Sequence, residues 1–250
     1  MQKGDSSLGR RRFLQGLTAG AAFMSTPGLF AQQLDKKLIP TVATTEGPFY
    51  PDKMPLDTDN DLLIINDAIT PGVGEITHLT GRVLTVTGQP VRNAFVEIWQ
   101  VDSTASYVHT GGRQPTGNDA NFQGYGRFLT DSRGQYYFRT IKPISYTLIG
   151  IFRTAHVHFA ISKNGKRVFT TQMLVKGLEA NDRDGVVKGI KDPKALATIL
   201  VDFKPLAGSK IGELAANFDL VLGKTVEELE DGTLHGGIAI SEVQAQRRKS

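Results

Sequence analysis

Short runs of alternating apolar and polar residues dominate the chain from residue 75 onward. Such period-two patterns are typical of half-buried β-strands, and turn residues separate each run from the next. The predicted strands cover residues 79–86, 93–100, 127–130, 135–141, 146–152, 155–162, 168–175, 197–203 and 217–222. Helical periodicity is almost absent. We therefore predict an all-β fold, an antiparallel β-sandwich with long loops and little helix.

Two stretches of the chain lack this strand pattern. The first, residues 32–74, contains the segment TTEGPFYP at 44–51, whose two prolines and one glycine predict an irregular, pinned conformation. The second, residues 102–126, is a 25-residue connection, and connections of that length are usually functional or disordered. We therefore assign the sandwich to residues 75–223 and a loosely ordered C-terminal tail to 224–250.

The first thirty-one residues have the pattern of an export signal. RRRFL at 10–14 matches the twin-arginine form R-R-x-F-L. The apolar stretch that follows, 16–30, has 15 residues, fewer than the roughly 20 that a membrane-spanning helix needs. We predict a twin-arginine signal peptide over 1–31, cleaved after Ala31, and a periplasmic or secreted mature protein with no stable membrane insertion. The alternative is a basic, disordered N-terminus.

This presequence carries most of the formal net charge. Lys3, Asp5 and residues 10–12 together contribute +3 of the +4, so the mature part is almost neutral and we expect no nucleic-acid partner. The sequence has no cysteine, which excludes disulfides, thiolate metal sites and cysteine nucleophiles. A metal, if bound, must have nitrogen and oxygen ligands.

A His-x-His pair, His156 and His158, lies in the predicted strand 155–162. Alternate side chains of a strand share a face, so both imidazoles can converge on one point. Imidazole is a ligand for iron, copper and zinc. Two histidines on one strand face are also common as solvated or hydrogen-bonded residues, so the pair alone leaves the metal open.

Five phrases of the sequence, taken in order, resemble the intradiol ring-cleavage dioxygenases, the family of protocatechuate 3,4-dioxygenase and catechol 1,2-dioxygenase. The phrases are TTEGPFYP, GQPVRNAFVEIWQVDSTASY, FQGYGRFLTDSRGQYYFRTIKPISY, FRTAHVHFAI and TTQM. Together they lie within residues 44–176. The resemblance implies a transthyretin (prealbumin)-like sandwich and a non-haem ferric oxidoreductase.

When the family's ligands are carried over motif by motif, the resemblance implies an Fe(III) ion held by Tyr107, Tyr146, His156 and His158. The chemistry of these side chains agrees with a ferric ion. A phenol has a pKa near 10, so recruiting two phenolates at neutral pH requires a strong, hard Lewis acid. Zinc sites rarely use tyrosine, and Fe(II) oxygenases use two histidines and one carboxylate.

The resemblance also implies a mechanism and its residues. A catechol-type substrate would chelate the iron and displace Tyr146, which would accept a substrate proton, and O2 would cleave the ring between its two hydroxyls to give a muconate-type product. Arg153 matches the arginine that contacts the substrate and stabilises charge on the ring, and Gln172 matches a glutamine that orients a ligand or the arginine. Thr45 and Tyr50 lie in the segment that lines the substrate pocket in relatives.

Three phrases depart from the usual family pattern around the expected ligands. G-R-Y is ASY at 105–107, P-G-P-Y-P is PISYT at 143–147, and W-R-P-A-H-I-H is FRTAHVH at 152–158. Each keeps its ligand, so the departures bear on pocket shape and on which catechol is used. No helical dimerisation domain like that of catechol 1,2-dioxygenases is visible, which favours a protocatechuate-type or secreted single-domain subgroup. Homo-oligomerisation is compatible with the family and is left open.

Two other functions compete with this interpretation. The strand pattern also occurs in transthyretin-like binding modules of the cell envelope, which share the sheet, lack the metal and are not enzymes. A copper or zinc enzyme that uses only His156 and His158 is the second alternative. The set of four ligands separates the dioxygenase from both, because neither alternative has a use for Tyr107 and Tyr146.

Overall fold

The computed structural model of the chain describes residues 37–66, 68–223, 227–228 and 234–235. The predicted signal peptide and most of the predicted C-terminal tail lie outside these residues. Over the described part of the chain, no helix is both long and apolar enough to cross a membrane.

Short β-strands are the main secondary structure. The strands are β1 Ile76–Thr85, β2 Phe95–Trp99, β3 Tyr125–Leu129, β4 Gln135–Ile141, β5 Tyr146–Leu148, β6 Ile151–Arg153, β7 His156–Lys163, β8 Lys166–Val175, β9 Leu200–Val201, β10 Phe203–Pro205, β11 Leu214–Asn217, β12 Leu220–Leu222, β13 Glu227–Glu228 and β14 Leu234–His235. Two one-turn α-helices follow β8, α1 Gly185–Gly189 and α2 Pro193–Ala197, and 3₁₀ turns cover Thr110–Gly112 and Glu179–Arg183. The predicted β-rich, helix-poor fold is confirmed.

Two five-stranded sheets form the fold. The first has β1 at its centre, with β4 antiparallel to it and with β11 and β12 parallel to its first and last parts, while β10 extends the sheet beyond β11. The second has the order β3-β2-β7-β8-β9 and is antiparallel except for β8–β9. The pairing is therefore mainly antiparallel, as predicted, with three parallel pairs that the sequence pattern does not indicate. A separate hairpin joins β5 and β6.

The main hydrophobic core contains side chains from both sheets. Each large apolar side chain that is fully buried there stabilises the fold by about 1.5–3 kcal/mol. The core includes Leu79, Val83, Phe138 and Leu220 of the first sheet and Val96, Ile98, Val157, Phe159 and Met173 of the second. This core uses only one face of β7, because Val157 and Phe159 alternate with the two histidines.

Three predicted strands are wrong in detail. The predicted strand 217–222 joins the last residue of β11 to β12, although residues 218–219 between them are not in a strand. The predicted strand 146–152 is a hairpin, because Ile149 and Gly150 form a tight turn with φ of 52° and 73°. Isoleucine rarely adopts this conformation, so Gly150 is the single turn signal among the two turn residues, and the strand prediction overlooked it. The predicted strand 197–203 begins within α2, which Asp192 caps at its N-terminus and Pro193 begins. That Asp-Pro start is a helix signal that the strand pattern obscured.

Gly81 of β1 lies where the backbone of residue 218 crosses the strand. A Cβ at this position would overlap the Phe218 carbonyl and the Tyr136 hydroxyl that donates a hydrogen bond to it. We expect Gly81→Ala to lower the free energy of unfolding by about 3 kcal/mol, since neither group can move away cheaply. Urea unfolding tests this. The matched control is Gly189→Ala, whose Cβ enters open space, and equal midpoints for the two variants would contradict the prediction.

Candidate metal centre

Four polar atoms meet on the outer face of the second sheet. The Tyr107 hydroxyl oxygen lies 2.8 Å from that of Tyr146, 3.0 Å from Nε2 of His158 and 3.3 Å from Nε2 of His156. The two Nε2 atoms are 3.1 Å apart. All four side chains are buried. The structure therefore brings together the four residues that the sequence predicts as ligands.

Three separate elements supply these side chains. His156 and His158 project from β7 on the face opposite the main core, Tyr146 begins β5, and Tyr107 lies in the long 102–126 connection. The two tyrosines belong to a second, smaller hydrophobic cluster, formed by Trp99, Val101, Tyr107, Tyr125, Tyr146, Leu148 and Ala160. Both faces of β7 are thus covered, one by the sandwich and the other by loops and the β5–β6 hairpin.

His156 is held in one tautomer. Its Nδ1 lies 2.6 Å from the carbonyl oxygen of Thr154, and because a carbonyl only accepts, Nδ1 must carry the proton. The lone pair of Nε2 then faces the other three polar atoms. Burial lowers the pKa of His156 to about 3, with the charge of Arg153 acting in the same direction. The imidazole is therefore neutral, the form that binds metals.

His158 is held by packing. Its ring stacks on Trp99, opposite it on β2, with a centroid distance of 4.8 Å and an interplanar angle of 6°. Gly47 also lies close to this ring, and a Cβ there would be 3.3 Å from Cε1 of His158. The buried Nδ1 of His158 has no hydrogen-bond partner among the described residues. Burial, together with the charges of His156 and Arg153, lowers the pKa of His158 well below its usual value.

The two tyrosines are buried phenols. Burial raises the pKa of Tyr107 well above its usual value and also raises the pKa of Tyr146, while the positive charge of Arg153 acts in the opposite direction on both. Only a strongly polarising cation could therefore hold them as phenolates near neutral pH. The positive charge of Arg153 lowers the pKa of all four groups. It therefore favours the neutral imidazole and the ionised phenol, which are the forms that bind metals.

The donor set fits a single metal ion. Donor atoms about 2.0–2.1 Å from a common ion, at angles near 90–110°, are about 3 Å apart. The three separations from the Tyr107 hydroxyl and the separation between the two histidine nitrogens are 2.8–3.3 Å. Among the described residues, no group of three or more His, Cys, Asp or Glu side chains could hold a metal. A metal ion at His156 and His158 would therefore take its other protein ligands from the tyrosines.

Arg153 and Gln172 form a hydrogen-bonded chain beside the four donor atoms. Nε of Arg153 donates to Asp184 at 2.9 Å and its Nη2 donates to Oε1 of Gln172. Nε2 of Gln172 donates to the carbonyl of Thr45 at 2.8 Å. Both side chains are thus fixed in direction. Sequence reasoning missed Asp184, because it is 31 residues from Arg153 and belongs to none of the five family phrases.

The 44–51 segment is fastened to the outer face of the second sheet. The Tyr50 hydroxyl donates to Glu97 at 2.7 Å, and the Tyr50 ring edge contacts Trp99. Buried Glu97 also accepts from Tyr125 at 2.6 Å and from Arg167 at 3.1 Å. This places Tyr50 behind Trp99 as an anchor.

Thr45 lies in the same segment and is exposed. Its Oγ1 accepts a hydrogen bond from the amide of Gly47, and its carbonyl is the acceptor for Gln172. Thr45 thus reaches the donor cluster only through other residues in this structure. Contact of Thr45 and Tyr50 with a substrate stays a prediction.

The loop that carries Tyr107 departs from the family pattern at Ala105, which has a positive φ of 67°. Buried Asp102 organises this loop by accepting hydrogen bonds from the amides of Thr104 and Ser106. Glycine adopts a positive φ without the steric cost of a Cβ. Alanine at this position therefore stores strain next to a candidate ligand.

Comparison with known proteins gives consistent matches. The sequence family Dioxygenase_C, described as "Dioxygenase", matches residues 45–223. The β chain of protocatechuate 3,4-dioxygenase from Burkholderia cepacia is 36% identical over 176 residues, which is 67% of this chain and 72% of that protein. Catechol 1,2-dioxygenase 2 from Acinetobacter lwoffii is 29% identical over 172 residues, which is 60% of this chain but only 59% of the relative.

Solved structures show the same fold. The 3-chlorocatechol 1,2-dioxygenase of Rhodococcus opacus 1CP superimposes with a TM-score of 0.57 at 21% identity, covering 74% of this chain and 73% of that one. The dioxygenase domain of a carbohydrate-binding fusion protein from Streptomyces sp. SirexAA-E has a TM-score of 0.54 at 23% identity, covering 74% of this chain and 99% of that one. At these identities the likeness concerns the fold alone, and it confirms the predicted β-sandwich.

Relieving the strain at Ala105 should stabilise the protein. We expect Ala105→Gly to raise the free energy of unfolding by about 0.5–1 kcal/mol, because glycine tolerates φ near +67°. Ala120→Gly is the matched control, because Ala120 is an exposed loop alanine that does not have a positive φ. This substitution should be neutral or slightly destabilising. Thermal unfolding compares the two. A lower midpoint for Ala105→Gly than for Ala120→Gly would refute the interpretation.

The two buried histidines should make the metal-free protein sensitive to mild acid. The folded pKa of His156 is about 3 and the usual value is 6.5, so between these values the unfolded chain binds more protons than the folded one. Stability is therefore complete above pH 6.5 and is lost as the pH falls, by up to about 1.4 kcal/mol per pH unit for each such histidine. Urea midpoints at pH 7, 6 and 5 measure this effect. His156→Gln should reduce the slope, and equal midpoints of the unsubstituted protein at pH 7 and 5 would contradict it.

Proposed function

Because the chain belongs to the Dioxygenase_C family, the intradiol ring-cleavage dioxygenases, we propose that it is a non-haem Fe(III) enzyme. Its reaction would cleave a catechol-type ring between the two hydroxyls with O2 and give a muconate-type diacid. The observation that carries this proposal is that the Tyr107 hydroxyl lies 2.8–3.3 Å from the Tyr146 hydroxyl and from Nε2 of both neutral imidazoles, which are themselves 3.1 Å apart.

The donor set supports ferric iron over other metals. Tyr107, Tyr146, His156 and His158 would hold the ion, and two phenolates would neutralise most of its charge. When bound, Fe(III) would supply the Lewis acidity that ionises a catechol and activates its ring. A sandwich that only bound a partner would bear the cost of burying these four polar groups without using them.

Tyr146 is the ligand best placed to give way to a substrate. It begins a three-residue strand of an isolated two-stranded hairpin, and its neighbours Ser145 and Thr147 are exposed. His156 and His158 instead belong to a central strand. We assign to the Tyr146 hydroxyl oxygen the role of taking a proton from an entering catechol. The raised pKa of this phenol makes its ionised form a strong base for that transfer.

Arg153 is the charged group that would act on the substrate. It faces Tyr146 across the hairpin register, so a ring that replaced Tyr146 would enter beside the guanidinium. Hydrogen bonds from Nε and Nη2 to Asp184 and Gln172 fix the guanidinium plane. A preorganised cation at this position would stabilise negative charge as it develops on the ring.

We also propose that the enzyme acts outside the cytoplasm, on aromatic compounds met there. The RRRFL phrase and the apolar stretch after it support export by the twin-arginine route. Comparing the size and location of the protein in cells with an intact and a disrupted Arg10-Arg11 pair tests this proposal. An unprocessed cytoplasmic protein in both strains would overturn it.

The visible spectrum tests the ferric site directly. The iron-loaded protein should be red-brown from tyrosinate-to-Fe(III) charge transfer, and the band should shift when catechol is added. Tyr146→Phe should weaken the band and lower catechol cleavage about 100-fold or more, the contribution of one positioned acid–base group, while far-UV circular dichroism, which reports the fold, is unchanged. Substrate candidates can be ranked by the same spectral shift.

Tyr137→Phe is the matched control for this substitution. Tyr137 is a partly buried tyrosine of the first sheet, and its hydroxyl forms a hydrogen bond with His78 of the same sheet. Because this sheet does not carry the candidate ligands, Tyr137→Phe should keep both colour and turnover. Two results would overturn the proposal. One is a colourless protein after iron loading, and the other is cleavage of catechol by Tyr146→Phe at the unsubstituted rate.

A further inference from the structure

Asp184 is a fully buried carboxylate at the edge of the metal centre. Its Oδ2 accepts hydrogen bonds from Nε of Arg153 at 2.9 Å and from the amide of Thr154 at 2.8 Å. Its Oδ1 accepts from the amides of Val186 at 2.8 Å and Val187 at 3.1 Å, capping α1. An ionised carboxylate has only acceptors, and all four of these partners are donors. One side chain thus joins a helix start to the arginine beside the candidate ligands.

Asn181, three residues before Asp184, forms a second contact with Thr154. The Thr154 hydroxyl donates to the side-chain oxygen of Asn181 at 2.7 Å, and the Asn181 amide donates to the carbonyl of Val175 at 2.9 Å. The carbonyl of Thr154 is in turn the acceptor for Nδ1 of His156. The 3₁₀ turn and α1 therefore fix the segment from Arg153 to His156, although no residue of either reaches the four donor atoms.

We propose that Asp184 is a positioning residue for ring cleavage, which orients the Arg153 guanidinium towards the substrate and supplies its buried counter-charge. The proposal rests on the proposed function. Arginine has a flexible stem, and its charge acts on the ring only from a fixed direction. Gln172 accepts a hydrogen bond from one nitrogen of the guanidinium through a neutral amide oxygen, whereas Asp184 binds another nitrogen through an ion pair. That pair is shielded from water, with 13% and 0% of the two side chains exposed.

Asparagine is the sharpest replacement for Asp184. It has nearly the same volume and caps helices as well as aspartate does, so α1 can keep its acceptor for Val186 and Val187. The side-chain NH2 group of asparagine would then face Nε–H of Arg153 and the backbone N–H of Thr154. All of these groups are hydrogen-bond donors, so neither hydrogen bond could form. Asp184→Asn therefore removes the contact with the arginine while it leaves the helix cap in place.

The chain offers a matched control at the start of α2. Asp192 caps α2 by accepting from the amide of Lys194 and is exposed. Asp192→Asn makes the same chemical change at a helix cap that does not contact Arg153. We expect its kcat, KM and iron content to equal those of the unsubstituted protein.

The test is a double-mutant cycle on the full, iron-loaded chain, with catechol as the substrate. Asp184→Asn and Arg153→Ala should each lower kcat about 100-fold, the usual effect of losing one preorganised charge contact. The double variant should be within about threefold of Arg153→Ala alone, because both changes remove one interaction. Iron content and the resting charge-transfer band should stay at the unsubstituted level in all three.

Arg153→Lys tests the same proposal without altering Asp184. Lysine keeps the positive charge but lacks the planar fork that binds Asp184 and Gln172 together. We expect a loss of kcat close to that of Asp184→Asn with iron retained. This variant serves in place of Asp184→Asn if that protein does not unfold cooperatively, and unsubstituted kcat in Arg153→Lys would overturn the proposal.

Three other results would overturn it. They are unsubstituted kcat in Asp184→Asn, losses that multiply in the double variant, and a loss of iron that parallels the loss of rate. Failure of the proposed function is recognised separately, in the unsubstituted protein. A sample without the charge-transfer band and without cleavage would overturn both the function and this inference, whereas an active, coloured protein confines any failure to Asp184.

Discussion

The burial of two imidazoles and two phenols against one another is the constraint on which the rest of the site depends. Buried polar groups are costly unless they find partners, and here Tyr107 contacts each of the other three. Burial raises the pKa of the tyrosines and lowers that of the histidines. Without a cation the four groups are therefore neutral, and a bound cation would be their natural common partner.

Strand β7 shows how the fold provides this environment. Its Val157 and Phe159 pack in the sandwich core, while His156 and His158 alternate with them on the other face. A sandwich normally leaves its outer face to solvent, so additional chain must cover the histidines. The 44–51 segment, the 102–126 connection and the β5–β6 hairpin do this, and it is the reason that the loops of this protein are long.

Two buried carboxylates fasten these covering elements. Glu97 accepts hydrogen bonds from Tyr50, Tyr125 and Arg167, which ties the 44–51 segment to the sheet behind Trp99. Asp184 ties α1 to Arg153 and Thr154. Both charges are paired and hydrogen-bonded, as buried charges must be. Stability and chemistry are therefore coupled here, because the groups that anchor the cover also fix the site.

The order of residue types along the chain is enough to predict the fold class and the ligand candidates. Alternation of apolar and polar residues is a local property, so it reveals most strands, and the two-residue spacing of His156 and His158 is enough to predict that both lie on one face. Tyr107 and Tyr146 require the family phrases, because nothing local distinguishes a ligand tyrosine from a core tyrosine. The parallel strand pairs and the turn at Ile149 were missed for the same reason, since pairing partners and positive φ at a branched residue leave no local pattern.

The orientation of these residues depends instead on tertiary packing. Asp184 meets Arg153 across 31 residues of sequence, and Trp99 meets His158 across paired strands. Such contacts depend on the register of the sheets and on where the loops return to them, which no periodicity encodes. The same packing places the Tyr50 hydroxyl on Glu97 and its ring against Trp99, whereas contact of Tyr50 with a substrate stays a prediction. Residue types and spacing define which chemistry is available, whereas burial and long-range pairing define which atom each residue presents.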